Sequence, residues 1–198
     1  MEEQQTTIRE FINGKIQMLI NRRDPSYTRA TLAKLRRGVG KHPGSLPDVW
    51  DFTLDGMPQN FMSRNGETTP EQWAAYLTLT MFALHQQGKD INVNPMSVYG
   101  NSLGDAVRVL RMKRGEEATD AVKRRFDIVV TSNSAEELAY HIRSLISMLK
   151  SESIPLDYPR LADDILKFQS ISKRDGVRLR WGQDYYMSTR KDDVKNDE

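Results

Sequence analysis

Few side chains in this sequence combine the types and spacings that bond-making chemistry needs. His42, His85 and His141 are scattered, and none has a second histidine or a carboxylate at the spacing of a helical zinc site, so no metal ligation is expected. The 198 residues include no cysteine, which removes thiolate ligands, disulfides and cysteine nucleophiles. Asp163-Asp164 and Glu116-Glu117 are adjacent pairs, and neighbours on a helix point about 100° apart, so neither pair converges as acid and base. Solvated faces are expected for both. Gly38-Val39-Gly40-Lys41 looks like part of a phosphate-cradling loop, yet it lacks the P-loop spacing and follows a helical pattern rather than a strand. It reads as a basic turn. With no converging nucleophile, base or metal cluster, neither an enzyme nor a cofactor is expected.

What recurs is positive charge. Residues 22–41 hold Arg22, Arg23, Arg29, Lys34, Arg36, Arg37 and Lys41 against the single acid Asp24. Two further groups follow, Arg108 with Arg111 and Lys123 with Arg124 and Arg125. The formal net charge is only +2 because acids gather at the chain ends. Without Glu2, Glu3 and residues 191–198, 27 basic residues stand against 21 acidic ones. A basic body of this kind suits a polyanion. Trp50, Trp73 and Trp181 could stack on bases, but large aromatics serve packing first, and the methionines read as core filler.

The elements that must position these charges are helical. Ile8, Phe11, Ile12, Ile16, Leu19 and Ile20 form one apolar stripe, ended by Asp24-Pro25. A second helix is expected from about Tyr27 to Arg37, with Leu32 and Leu35 inward and Gly38 terminating it. Residues 42–66 read as a long connection pinned by Trp50, Phe52 and Phe61. Thr69-Pro70-Glu71-Gln72 is a capping box that opens a helix burying Trp73, Leu77, Met81 and Leu84 and stopping at Gly88. Beyond a loop over 88–101, Ser102 caps a helix on which Arg108 and Arg111, one turn apart, are expected to face outward together.

Val122, Phe126 and Val129 mark the next helix, and Ser134 with Glu137 a further capping box, followed by Leu138, Ile142, Leu145 and Leu149. Pro159 starts a helix with Leu161, Ile165 and Phe168 inward, and Gly176 is expected beyond its end. Residues 177–181 alternate like a strand, but a lone strand would lack a partner, so helix is expected there. The fold class is therefore all-α, a compact helical bundle. A single domain over 1–186 is expected, or two packed halves of about 1–100 and 101–186, with a disordered polar tail over 187–198. No apolar run reaches membrane-spanning length, and Met1-Glu2-Glu3-Gln4-Gln5 lacks the regions of a signal peptide. The cytoplasm is the expected location, with no membrane partner.

Several segments, taken in order, resemble the CasB small-subunit family of the type I-E CRISPR surveillance complex, Cascade. They are Leu32 to Gly38, Ser102-Leu103-Gly104, Arg124 to Asp127, Glu137 to Leu145, Ile154 to Tyr158, Leu161 to Leu166 and Val177 to Trp181, so the likeness spans roughly 28–186. The resemblance implies a non-enzymatic helical subunit, present with a second copy of itself beside other Cascade proteins and guide RNA. It also implies that basic side chains stabilise the guide–target R-loop and the displaced non-target DNA strand. By position, Arg36, Arg37 and Arg143 match such contacts best. Arg29, Lys41, Arg108, Arg111, Lys123 and Arg124 are candidates on charge and expected exposure alone. Two other readings stay open: a scaffold whose arginines meet acidic protein partners, and a free-standing helical DNA-binding protein, although no helix-turn-helix spacing is present.

Overall fold

The computed structural model describes residues 6–187, with the Glu117 and Ala118 side chains outside the described set. The expected tail over 187–198 therefore lies almost wholly outside the described residues. Helix α1, Ile8–Ile20, begins with a capping box in which Thr7 and Glu10 satisfy each other's backbone N–H groups, and it buries the expected stripe. Its stripe also includes Lys15, whose ammonium lies 5.5 and 5.1 Å from the Phe11 and Phe52 ring centroids and 4.0 Å from Asp55. Helix α2 runs Pro25–Arg37, two residues earlier than its periodicity suggests, because Asp24 accepts the Ser26 N–H and Pro25 suits a first turn. The dipeptide that ends one helix starts the next.

Gly38 ends α2 with φ −80°, so it is not a left-handed cap. Its lack of a side chain matters for space, since a Cβ there would stand 2.6 Å from the Tyr76 hydroxyl oxygen. The left-handed turn comes two residues later, at Gly40, φ +78°. The expected connection over 42–66 contains three single 3-10 turns and the four-residue helix α3, Trp50–Thr53. Phe52 and Phe61 are buried, but Trp50 is 40% exposed and donates from Nε1 to the Pro43 carbonyl at 3.1 Å.

Helix α4, Pro70–His85, has the expected capping box, but its buried face is wider than the predicted stripe. Residues 74–83 are buried all round while Trp73 and Leu84 are only half-buried. The reason is position: α1 and α2 pack on it, as do two later helices, α7, Ala135–Ser151, and α8, Tyr158–Phe168. Alanines and threonines between the large residues dilute the pattern although they too are interior.

Ser102 caps α5, Leu103–Arg114, through the Asp105 N–H, and Gly115 at φ +77° turns the chain into α6, Glu116–Thr131. At the start of α7 only half of the expected capping box forms, because the Glu137 carboxylate takes the Asn133 N–H rather than that of Ser134. The last helix, α9, spans Ile171–Tyr186. Gly176 lies inside it rather than beyond a helix end, and residues 177–181 are helical, with Val177 and Trp181 four apart on the buried side. Gly104 lets α5 cross α9 closely, since a Cβ there would stand 2.2 Å from the Trp181 carbonyl oxygen. Asp164, expected at a solvated face, is buried and accepts from Trp181 Nε1 and Arg180, each at 2.8 Å. No strand occurs among the described residues, only an isolated parallel bridge between Ser97 and Leu156. One hydrophobic cluster runs from Ile8 to Tyr185, and no described helix is long and apolar enough to cross a membrane.

Candidate nucleic-acid interface

Arg36 and Arg37 are neighbours on the last turn of α2, so their side chains leave the helix about 100° apart. Arg37 forms an ion pair with Asp48 at 3.0 Å, with both side chains more than half exposed. Such a pair contributes about 0–1 kcal/mol and exchanges readily for another anion. Arg36 lies on the side near Lys150 of α7. Burial holds the Lys150 ammonium below the usual lysine range, and the charges of Lys89 and Arg36 push it further the same way. Lys89 donates to the Lys150 carbonyl at 3.1 Å, fixing one cation beside the other.

Arg143 lies two turns before Lys150 on the same face of α7, and it is exposed. Its Nη1 is 3.8 Å from the point a Cβ on Gly40 would occupy, which places it over the basic turn that holds Lys41. Because α2 and α7 both pack on α4, residues more than a hundred positions apart share one surface. Among the described residues, none of Arg36, Lys41, Lys89, Arg143 and Lys150 makes an ion pair. Arg29, two turns before Arg36, extends the row and borders the same groove as Lys89. Cations held together without ion pairs are favourable for an anion that visits them.

The other candidates are placed differently. Arg108 and Arg111 do not face outward together, because Gly104, Arg108 and Arg111 share the face of α5 that lies against α9. Arg108 bonds to Asp105 at 3.1 Å and to the Asp184 carbonyl at 3.2 Å. The Arg111 guanidinium sits 4.8 Å from the centroid of the Tyr185 ring. Lys123 pairs with Asp127 one turn on, and Arg124 beside it is exposed. Both belong to α6, whose main neighbours are α5, α7 and α9 rather than α2. Lys89 and Lys150 escaped the reading of the sequence. Lys150 could have been found by counting seven residues from Arg143, whereas Lys89 lies in a loop with no periodic signal.

His85 is buried against α8 with Nδ1 2.9 Å from the Tyr158 hydroxyl. Burial, reinforced by the Lys89 charge, lowers its pKa from 6.5 to about 4. The hydroxyl is also 3.2 Å from the Met81 carbonyl, so the pair ties α4 to α8 inside the core.

The family model of CRISPR-associated protein Cse2 matches residues 31–186. The chain belongs to that family. The match takes in Arg36, Lys41, Lys89, Arg143 and Lys150 and leaves Arg29 outside its start. The crystal structure of CasB from Thermobifida fusca is similar at 30% identity over 92% of this chain and 99% of that one, with a TM-score of 0.71. A Cse2-family CRISPR-associated protein from Thermus thermophilus shares the fold at 20% identity and TM-score 0.67, over 92% and 99% of the two chains. So does a chain of a CRISPR RNA-guided surveillance complex, at 19% identity and TM-score 0.67, over 90% and 93%. No curated protein sequence matches.

Proposed function

We propose that this Cse2-family chain is a non-catalytic small subunit of a type I-E Cascade complex that holds nucleic-acid backbone and so stabilises the R-loop and its displaced strand. Its partners in this reading are other Cascade proteins, guide RNA, target DNA and a second copy of the chain. The observation that supports it most is a row of cations without ion pairs among the described residues, Arg36, Lys41, Arg143 and Lys150, gathered on one surface from α2, the turn after it and α7. Exchanging a DNA duplex for an RNA–DNA heteroduplex is nearly balanced in free energy, so modest phosphate contacts decide which side prevails. Such contacts position a strand without reading it, which suits a subunit whose specificity comes from a guide.

The test replaces Arg36, Arg37 and Arg143 by alanine together and measures R-loop lifetime on a supercoiled target at physiological salt. The variant is expected to assemble at normal stoichiometry and to lose the R-loop faster, equally for different target sequences. Binding of single-stranded DNA by the free chain should lose about 0.7 of log–log salt slope per phosphate contact removed. An unchanged lifetime in a fully assembled complex would overturn the proposal. Failure to assemble would assign the same charges to protein partners.

A further inference from the structure

Beside the cationic row lies a groove of about 320 Å³ between the turn after α2, α4 and α7. Aromatic rings share its walls with Leu77, Thr80 and Ala139. His42 and Trp73 approach at 5.6 Å between ring centroids, tilted by 42°, and Nδ1 of His42 accepts the Gly44 N–H at 3.3 Å, which fixes the ring. Tyr76 also lines it, with its hydroxyl committed to the Gly38 carbonyl at 3.0 Å. From α7 comes Tyr140, which is 77% exposed although an aromatic ring gains most by burial. Lys41 and Glu136 are the charged residues of the lining, and Arg143 follows Tyr140 by one turn on the same face.

The distribution of charge limits what this groove can take. A phosphate would meet the Glu136 carboxylate, whereas the cations Lys41 and Arg143 lie toward the turn at Gly40. An uncharged flat ring with an amino group fits better, since aromatic side chains stack on any base and a carboxylate accepts from exocyclic amines. Pockets for small planar ligands begin at about this volume. We infer that the groove receives one unpaired nucleobase of a single strand whose adjoining phosphates rest on Arg143 and Lys41. This inference rests on the phosphate-binding reading above and adds a stacking site to it.

The test uses the full chain and two oligonucleotides about a dozen nucleotides long, within the range of single-strand site sizes. One carries adenines throughout and the other is abasic at every position, each made in DNA and in RNA form. Wild type should bind the base-bearing strand about fivefold or more tightly than the abasic one at equal salt. Tyr140→Ala, at an exposed position, should abolish that difference and leave the salt slope unchanged. Arg143→Ala should lower the slope for both strands equally. The backbone chemistry, DNA or RNA, that shows the Tyr140-dependent difference identifies the natural strand. If Tyr140→Ala binds the base-bearing strand as wild type does while the salt slope stays steep, the groove holds no base and phosphate binding still stands. A flat salt slope in wild type would remove the phosphate reading and this one with it. Loss of complex assembly by Tyr140→Ala with unchanged strand binding would overturn the inference by giving the groove a protein occupant.

Discussion

His85 illustrates how a single buried side chain ties stability to pH. Its native pKa of about 4 lies below the ordinary 6.5, so the unfolded chain takes up a proton that the folded chain refuses. The contribution is complete above pH 6.5 and is lost as pH falls from there toward 4. The full swing amounts to about 3 kcal/mol. Unfolding free energies measured by urea from pH 7 to pH 4 should therefore fall more steeply for wild type than for His85→Gln, whose curve should be flatter across that window. Parallel curves would show that His85 is not the responsible group. The histidine was visible in the sequence but its role was not, because the partner Tyr158 stands 73 residues away. Arg36 and Arg143 were singled out by their position in the family resemblance, Arg108 and Arg111 by charge and expected exposure alone. The packed structure shows the physical difference, one pair left without an ion pair among the described residues and the other occupied by Asp105 and the Tyr185 ring. The spacing of Gly104, Arg108 and Arg111 did hold a usable hint, since a glycine on a helix face marks where another helix comes close.

Among the elements, the crossing of α5 on α9 depends most on one residue. A methyl group added at Gly104 would meet backbone atoms, the Trp181 carbonyl oxygen at 2.2 Å and the Tyr185 nitrogen at 2.9 Å, which cannot swing aside as a side chain would. Gly104→Ala should cost about 1–3 kcal/mol or more, the range for overpacking in a tight core. Gly14 in α1 is the control, exposed and with nothing within 4 Å of its Cβ position. Gly14→Ala should stabilise by about 0.5–1 kcal/mol through helix propensity alone. Chemical denaturation of both variants checks the pair, and equal effects would contradict the close crossing. Helix starts were the most legible elements because caps are local chemistry: Thr69, Ser102 and Ser134 each accept the N–H that their spacing predicts. Helix interiors were harder. Gly176 looked like a terminator although a helix tolerates glycine at modest cost, and α4 looked one-sided although neighbours surround it.

At the scale of the whole molecule, the question is whether about 1–100 and 101–186 are separate folding units. The packing argues for one. Helices α1 and α4 from the first stretch lie on α8 from the second, α4 also lies on α7, and the hydrophobic cluster includes residues from both without a break. Cutting between them would expose the faces of α4 that now meet α7 and α8, including the buried His85–Tyr158 bond. Neither part would then keep a closed core. The cationic row depends on the same arrangement, since Arg36 and Lys41 come from the first stretch and Arg143 and Lys150 from the second. Thermal unfolding followed by far-ultraviolet circular dichroism and by tryptophan fluorescence should therefore give one coincident transition. Fluorescence is informative because Trp50 and Trp73 lie in the first stretch and Trp181 in the second. Salt should act in a particular direction too: screening the repulsion among Arg36, Lys89 and Lys150 should raise the midpoint modestly, and alanine at Arg36 should reduce that gain. Two resolved transitions, with fluorescence and circular dichroism failing to coincide, would instead establish two halves, and the row would then be a surface formed only when they dock.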